Sequence, residues 1–308
     1  MKKICDNVLD LIGWTPLVRL NRIGAHVKPE ILVKIESSNP TCSIKDRIGL
    51  YMIEEAERQG LLTPESVIVE PTTGNTGIAL SLVAAVKGYR MIVVMPEFVS
   101  QERTVICRAL GAEVVRTPKE EGIEGVIRKA KEIVTTTPHA FMPDQFVNPA
   151  NPKAHRETTG KEILEQTDGK LDVFVAAAGT GGTLSGVASI LKEVLPSVKI
   201  VVVEPAGSPV LSGGNPGYHR IEGIGEGFIP EVLDISLCDE VVAVSDEDAF
   251  ATSRRMAREE GILAGLSSGA NVWASLKIAE TMDGGRIVTL VPDCALRYIS
   301  TDLFGPQC

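Results

Sequence analysis

Cysteine is sparse and scattered, with six residues at positions 5, 42, 107, 238, 294 and 308, no C-x-x-C pair and no Cys/His set of zinc spacing. This argues against a disulfide framework and against a metal site, and it suits mostly buried, reduced thiols in a cytoplasmic protein. The four histidines, His26, His139, His155 and His219, are equally dispersed. Positive charge is also short: 31 Lys+Arg stand against 40 Asp+Glu, a formal charge of −9. The surface as a whole therefore attracts neither nucleic acid nor an anionic membrane, and any anionic ligand must be held locally. Long apolar runs are missing too. The longest largely apolar run, Ile78 to Val86, is about half of the roughly 20 residues a membrane helix needs. Behind Lys2 and Lys3, Asp6 and Asp10 interrupt the apolar stretch, so neither a signal peptide nor an anchor is expected. No internal repeat and no Pro/Ser-rich spacer occur.

What remains is a body of 308 residues, 44% hydrophobic and 23% charged, a balance that excludes wholesale disorder, collagen and coiled coil and favours two domains. Short β-branched runs alternate with longer helical patterns, the rhythm of a mostly parallel sheet covered by helices. Strands are expected at Ile31–Ile35, Val67–Glu70, Met91–Met95, Glu113–Arg116, Val173–Ala177, Ile200–Glu204 and Arg286–Val291. Each is nearly continuous in apolar residues, as strands buried on both faces are. Helices are expected at Asp46–Gln59, Thr76–Lys87, Gln101–Leu110, Ile123–Thr135, Lys153–Glu165, Thr183–Val194, Glu247–Glu260 and Gly269–Thr281. The Gly- and Pro-rich stretch from Gly207 to Pro230 has no helical period, and a loop of that length is usually functional. The polar stretch Asn148–Lys153 is the best candidate boundary between two halves.

Three strand-to-helix turns carry the chemistry. In Asn39-Pro40-Thr41-Cys42-Ser43-Ile44-Lys45-Asp46-Arg47, Ser43 suits an N-cap, which puts Lys45 in the first helical turn. A cation is disfavoured there, and the same field lowers a lysine pKa towards the neutral amine that forms a Schiff base. The alternative is a solvated charged turn made by Lys45 and Asp46. The second turn, Glu70-Pro71-Thr72-Thr73-Gly74-Asn75-Thr76-Gly77, gathers hydroxyls, an amide and helix N–H groups suited to a carboxylate or phosphate, or simply to capping. The third, Gly179-Thr180-Gly181-Gly182-Thr183, lacks the last glycine of a dinucleotide fingerprint and fits a compact phosphate better, a weak signal by itself. Gly265-Leu266-Ser267-Ser268-Gly269 opens another helix, where most serines are plain caps. All three turns lie at carboxyl ends of strands, the ligand edge of an open α/β sheet. A phosphate cradle, a carboxylate cradle and an imine-forming lysine together describe a pyridoxal phosphate site for an amino acid.

These segments, with Ile12-Gly13-Trp14-Thr15-Pro16-Leu17, Gln145 to Asn151, Glu204-Pro205, Ser208 to Gly214, Gly223 to Pro230, Gly265 to Ala270 and Arg297-Tyr298, resemble one family nearly end to end. It is the cysteine synthase (O-acetylserine sulfhydrylase) and cystathionine β-synthase group of fold type II pyridoxal-phosphate enzymes. The resemblance implies two three-layer α/β domains with the active site in the cleft between them. Residues 1–12 and 35–150 would form the smaller domain, and 13–34 with 151–308 the larger. It implies that Lys45 carries the cofactor as a Schiff base and moves the substrate α-proton. Asn75 would bond the ring oxygen, and Gly179, Thr180, Gly181, Gly182 and Thr183 would cradle the phosphate. Ser267 would face the pyridine nitrogen as a neutral, mild partner. Thr72, Thr73, Gly74 and Thr76, with Gln145, would bind the substrate carboxylate, their loop closing on it. The implied reaction is ping-pong β-replacement through an aminoacrylate, most commonly O-acetylserine and sulfide giving cysteine and acetate. A homodimer is implied as well, which apolar Trp14 or Phe304 could serve, and docking of a serine acetyltransferase C-terminal tail is open to this branch.

Several positions depart from the pattern. Cys42 replaces a usual glycine or alanine, Thr73 a serine, and Cys294-Ala295-Leu296 a Ser-Gly-Glu. Glu226 stands where sulfide-using members carry a small residue. It could pair with the ammonium of cysteine or homocysteine, act as a base towards water or a thiol, or be an exposed loop charge. The first two would make the enzyme a cystathionine β-synthase type or a cysteine-consuming, sulfide-releasing lyase. Of the other classes, a non-catalytic regulatory relative sits badly with an intact Lys45, Asn75 and Gln145. A nicotinamide-dependent oxidoreductase sits badly with the broken fingerprint.

Overall fold

A computed structural model describes residues 4–305, so Lys2, Lys3 and Cys308 lie outside the described residues. Among the described residues ten strands form two sheets. The strands are β1 (Leu17–Arg19), β2 (Glu30–Ile35), β3 (Val67–Pro71), β4 (Arg90–Pro96), β5 (Glu113–Thr117), β6 (Ala140–Phe141), β7 (Val173–Ala177), β8 (Lys199–Pro205), β9 (Glu240–Val244) and β10 (Arg286–Val291). The larger sheet runs β1-β2-β10-β7-β8-β9 and the smaller β5-β4-β3-β6. Among these pairs β1–β2 is antiparallel and the others are parallel, as the alternation of strand and helix predicts.

Strands β3, β4, β7, β8 and β10 are buried on both faces, successive residues serving opposite layers, whereas β5, expected to be of this kind, lies at a sheet edge and is exposed or half-buried up to Thr117. Val173, Val175, Val201 and Val203 pack into one cluster, while Phe174, Ala176, Ile200 and Val202 pack into another on the far face. In the smaller sheet Ile68, Met91 and Val93 face one layer, and Val67, Val69, Ile92 and Val94 the other. The covering helices are α1 (Lys45–Arg58), α2 (Asn75–Lys87), α3 (Gln101–Ala109), α4 (Gly122–Thr136), α5 (Ala150–His155), α6 (Lys161–Gln166), α7 (Gly182–Val194), α8 (Asp246–Arg255) and α9 (Leu266–Ala279). A π-helical turn, Arg156–Gly160, joins α5 to α6, so the helix expected at Lys153–Glu165 starts earlier and is underwound in its middle. Asn148–Lys153 runs into α5, where Ala150 and Asn151 are buried. Among the described residues no helix is long and apolar enough to cross a membrane.

Three strands go beyond the expected set. β1 and β9 are edge strands, half-buried or exposed for most of their length, and β6 has two residues, so none shows the doubly buried pattern. The expectation of mostly buried thiols is corrected: of the five described cysteines Cys107 is buried, Cys42 is exposed, and Cys5, Cys238 and Cys294 are intermediate.

Candidate active site

A crevice opens in the larger sheet because β7 and β10 part company. They pair at Ile287–Val173 and Val288–Phe174, and beyond that point the Asn271 side chain of α9 replaces the ladder. Its Oδ1 accepts from Ala177 N at 2.7 Å and its Nδ2 donates to Leu290 O at 3.0 Å. An amide satisfies both strands while holding them apart. The carboxyl ends of β3, β7 and β10 and the N-termini of α1, α2, α7 and α9 meet at this opening.

The pocket there is lined by Lys45, Thr72, Thr73, Gly74, Asn75, Thr76, Gln145, Gly179, Thr180, Gly181, Thr183, Glu226 and Ser267. Of the residues singled out in the sequence, Gly182 does not line it. Gly182 instead packs on Asn151, whose Oδ1 would stand 1.9 Å from an added Cβ.

Lys45 is the first residue of α1, its N–H taken by Ser43 Oγ at 3.0 Å. Ile44 N donates to Pro292 O at 2.8 Å, and Ser43 forms an antiparallel bridge with Asp293, so the turn is pinned to the end of β10. Burial lowers the Lys45 pKa, while Glu226 and Asp293 oppose that shift. The turn after β3 is pre-shaped: Gly74 N donates to Thr72 Oγ1 at 3.1 Å and Thr76 Oγ1 to Gln145 Oε1 at 2.7 Å. Glu70 fixes Gln145 from below by accepting the N–H groups of Asp144 and Gln145. Burial pushes the Glu70 carboxyl up to about 8 against those two bonds. Asn75 spans the pocket wall, donating from Nδ2 to Asp293 Oδ2 at 2.8 Å and accepting from Arg297 at Oδ1.

The glycine turn after β7 has no room for side chains. A Cβ on Gly179 would lie 2.3 Å from Gly223 O, and Gly181 has φ +81° with Leu233 against it. Thr180 Oγ1 receives Asn151 Nδ2 at 3.1 Å, and that amide also reaches Gln145 O at 2.8 Å. His155 bonds Thr183 Oγ1 through Nε2 at 3.1 Å and Thr159 Oγ1 through Nδ1 at 2.9 Å. Burial first, then Arg47 and Lys45, lower its pKa well below the usual value, which keeps the ring neutral.

Residues 8–293 match the pattern of a family described as "Pyridoxal-phosphate dependent enzyme". The chain belongs to that family. It is 50% identical over 309 residues to a probable cysteine synthase of Bacillus subtilis, covering 99% of both chains. Its fold superposes on a cysteine synthase of Entamoeba histolytica with TM-score 0.96 and 44% identity, covering 98% of this chain and 91% of that one. A hydrogen sulfide-producing enzyme of Fusobacterium nucleatum gives TM-score 0.93 and 46% identity, covering 96% and 100%. The fold is thus the type II fold of pyridoxal-phosphate enzymes, and pyridoxal phosphate is the cofactor.

The residues present fit this cofactor. A turn in which side chains are excluded at Gly179, Gly181 and Gly182 opens α7, whose first N–H groups have no intrahelical acceptor. A half-buried lysine with an amine of lowered pKa lies in the same pocket. Sequence reasoning missed Arg103, Glu222, Asn271, Asp293 and the site role of Tyr298, all of which line the pocket. Asp293 follows the expected strand β10, and Arg103 lies in the first turn of the helix after β4, so the carboxyl-end rule applied to every strand would have flagged both. Arg103 pairs with Glu222 across the opening and stacks on Tyr298, 5.2 Å from the ring centre. Glu226 is half-buried in the pocket and is not an exposed loop charge.

Proposed function

We propose that this enzyme performs β-replacement on an activated L-serine, converting O-acetyl-L-serine and sulfide to L-cysteine and acetate. The observation that carries the reading is the Lys45 amine sharing one pocket with the hydroxyl-rich turn 72–76 and the glycine turn 179–183. Full-length likeness to cysteine synthases supports the substrates. Bound pyridoxal phosphate supplies the electron withdrawal that acidifies the substrate α-proton and releases the β-substituent.

In this reading Lys45 would hold the cofactor, and its Nζ would carry the substrate α-proton. Gly179 to Thr183 hold the phosphate, with Gly182 giving the turn its close packing. Asn75, whose Nδ2 now donates to Asp293, would bond the ring oxygen. Ser267 offers the pyridine nitrogen a neutral hydroxyl. Thr72, Thr73, Gly74 and Thr76, with Gln145, bind the substrate carboxylate and exclude water as their loop closes. Borohydride reduction and peptide mapping should place the cofactor on Lys45. Lys45→Ala should lose at least a thousandfold in turnover, and a label found elsewhere sinks the assignment.

A second reading is favoured by Glu226. Burial raises its pKa while Lys45 and His219 oppose the shift, leaving a carboxylate suited to accept a proton from water or a thiol, or to pair with a second amino acid. Such an enzyme would be a cystathionine β-synthase type or a sulfide-releasing lyase. Glu226→Ala should then lower turnover of cysteine, or of homocysteine addition, at least tenfold while sparing O-acetylserine with sulfide. An unchanged preference across both sets excludes it.

The same reading divides the chain into a smaller domain, 1–12 with 35–150, and a larger one, 13–34 with 151–308. It takes the enzyme to be a cytoplasmic homodimer, with exposed Trp14 as support for the dimer. Docking of a serine acetyltransferase tail at the pocket mouth belongs to this branch as well.

A further inference from the structure

We infer that Cys42 and Cys294 form a dithiol site at the pocket rim that is oxidised to a disulfide by exchange with a small disulfide of the glutathione class. The inference is independent of which substrate the enzyme takes. It starts from register. Ser43 and Asp293 face each other in an antiparallel bridge, with Ile44 N donating to Pro292 O on one side. The residues one step outward from that bridge are Cys42 and Cys294, with Cys42 standing in the turn before α1 at φ +59°. Antiparallel bridge partners stand about 4.5–5.5 Å apart at Cα, so the two cysteines beside them come within reach of the roughly 4.4–6.8 Å span of disulfides. The thiols are also near enough to feel each other's charge: after burial, Cys294 is the next cause that raises the Cys42 pKa.

The two residues differ in access. Cys42 is exposed and Cys294 half-buried, so an incoming disulfide meets Cys42 first. Its thiolate attacks one sulfur, forming a mixed disulfide and releasing one small thiol. Cys294 then attacks the Cys42 sulfur and releases the second. Two protein S–H bonds and one small S–S bond are exchanged for one protein S–S bond and two small S–H bonds, the protein losing two electrons and two protons. Arg297 favours the Cys42 thiolate, whereas Cys294 and Asp46 oppose it. Exchange should therefore accelerate as pH rises above neutral.

Oxidation reaches the active site through a cap. Cys294 Sγ accepts the N–H of Leu296 and starts the 3-10 turn Ala295–Tyr298. That turn carries Arg297, which donates to Asn75, and Tyr298, whose hydroxyl donates to Asp293 at 2.8 Å. Recruiting Sγ into a disulfide removes the cap and ties the Lys45 turn to the segment after β10.

The test uses the holoenzyme treated with oxidised glutathione, then thiol-blocked and digested without reductant. A Cys42–Cys294 cross-linked peptide, lighter by two hydrogens than the sum of its parts, is expected. Turnover should fall at least fivefold and return with dithiothreitol, while Cys42→Ser and Cys294→Ser variants show neither the peptide nor the loss. Absence of that peptide, or equal sensitivity in both variants, overturns the proposal whatever the substrate proves to be. The peptide with unchanged turnover confirms the site and removes the coupling through the turn.

Discussion

Two residues along α1 from Lys45, Arg47 is buried with 1% of its surface open, donating to Glu36 and Glu162 and to Thr15 Oγ1. Lys34 joins the cluster through Glu162 at 2.8 Å. Removing one partner from such a network leaves a buried charge uncompensated. Arg47→Met is therefore expected to cost about 3–5 kcal/mol in urea unfolding, and to loosen the first turn of α1 that presents Lys45. The cluster also sets an acid limit. Burial pushes Glu162 up, but bonds and charge from Arg47, with Lys34, outweigh it and bring its carboxyl to about 2, below the ordinary 4.5. A depressed carboxyl contributes its stability fully above its unfolded pKa and loses it as pH falls through the folded one. The unfolding midpoint of the wild type should thus fall between about pH 4.5 and 2 more steeply than that of Glu162→Gln. Parallel curves would show that Glu162 is not the group responsible.

At the scale of elements, the opening of the sheet depends on α9. Asn271→Ala leaves Ala177 N and Leu290 O without partners, at about 1–3 kcal/mol for each group left dry. The variant should lose stability and retain pyridoxal phosphate less well on dialysis, and an unchanged midpoint would mean that water takes over the amide's role. The sequence made this region half legible. Strands buried on both faces announce themselves, and so do turns such as 72–76 and 179–183, where glycines and hydroxyls follow directly on an apolar run. The short or marginal strands β1, β6 and β9 lack that contrast. The opposing wall of the pocket was hidden for another reason. Asn75 meets Asp293 across 218 positions and Arg103 meets Glu222 across 119, and local pattern carries no information about such pairings. The thiols were misjudged because composition does not reveal position: Cys42 stands in the exposed turn before α1, and Cys5, Cys238 and Cys294 lie at the half-buried margins.

For the whole molecule, the two sheets differ in how far their strands must search. β3 to β6 lie within residues 67–141, whereas β2 pairs with β10 through Glu30 and Arg286, 256 positions apart. Closing the longer loop is entropically costlier, so the smaller sheet should order first. Pulsed hydrogen exchange during refolding is expected to protect amides of β3 and β4 before those of β2 and β10, and the reverse order would refute this. The same layout bears on biosynthesis. A nascent chain exposes the apolar Ile31-Leu32-Val33 segment early, and at roughly 5–20 residues per second its partner strand leaves the ribosome on the order of ten to fifty seconds later. Through that interval the segment is a sticky orphan, so soluble yield in a cell should track the supply of chaperones that shield emerging polypeptides.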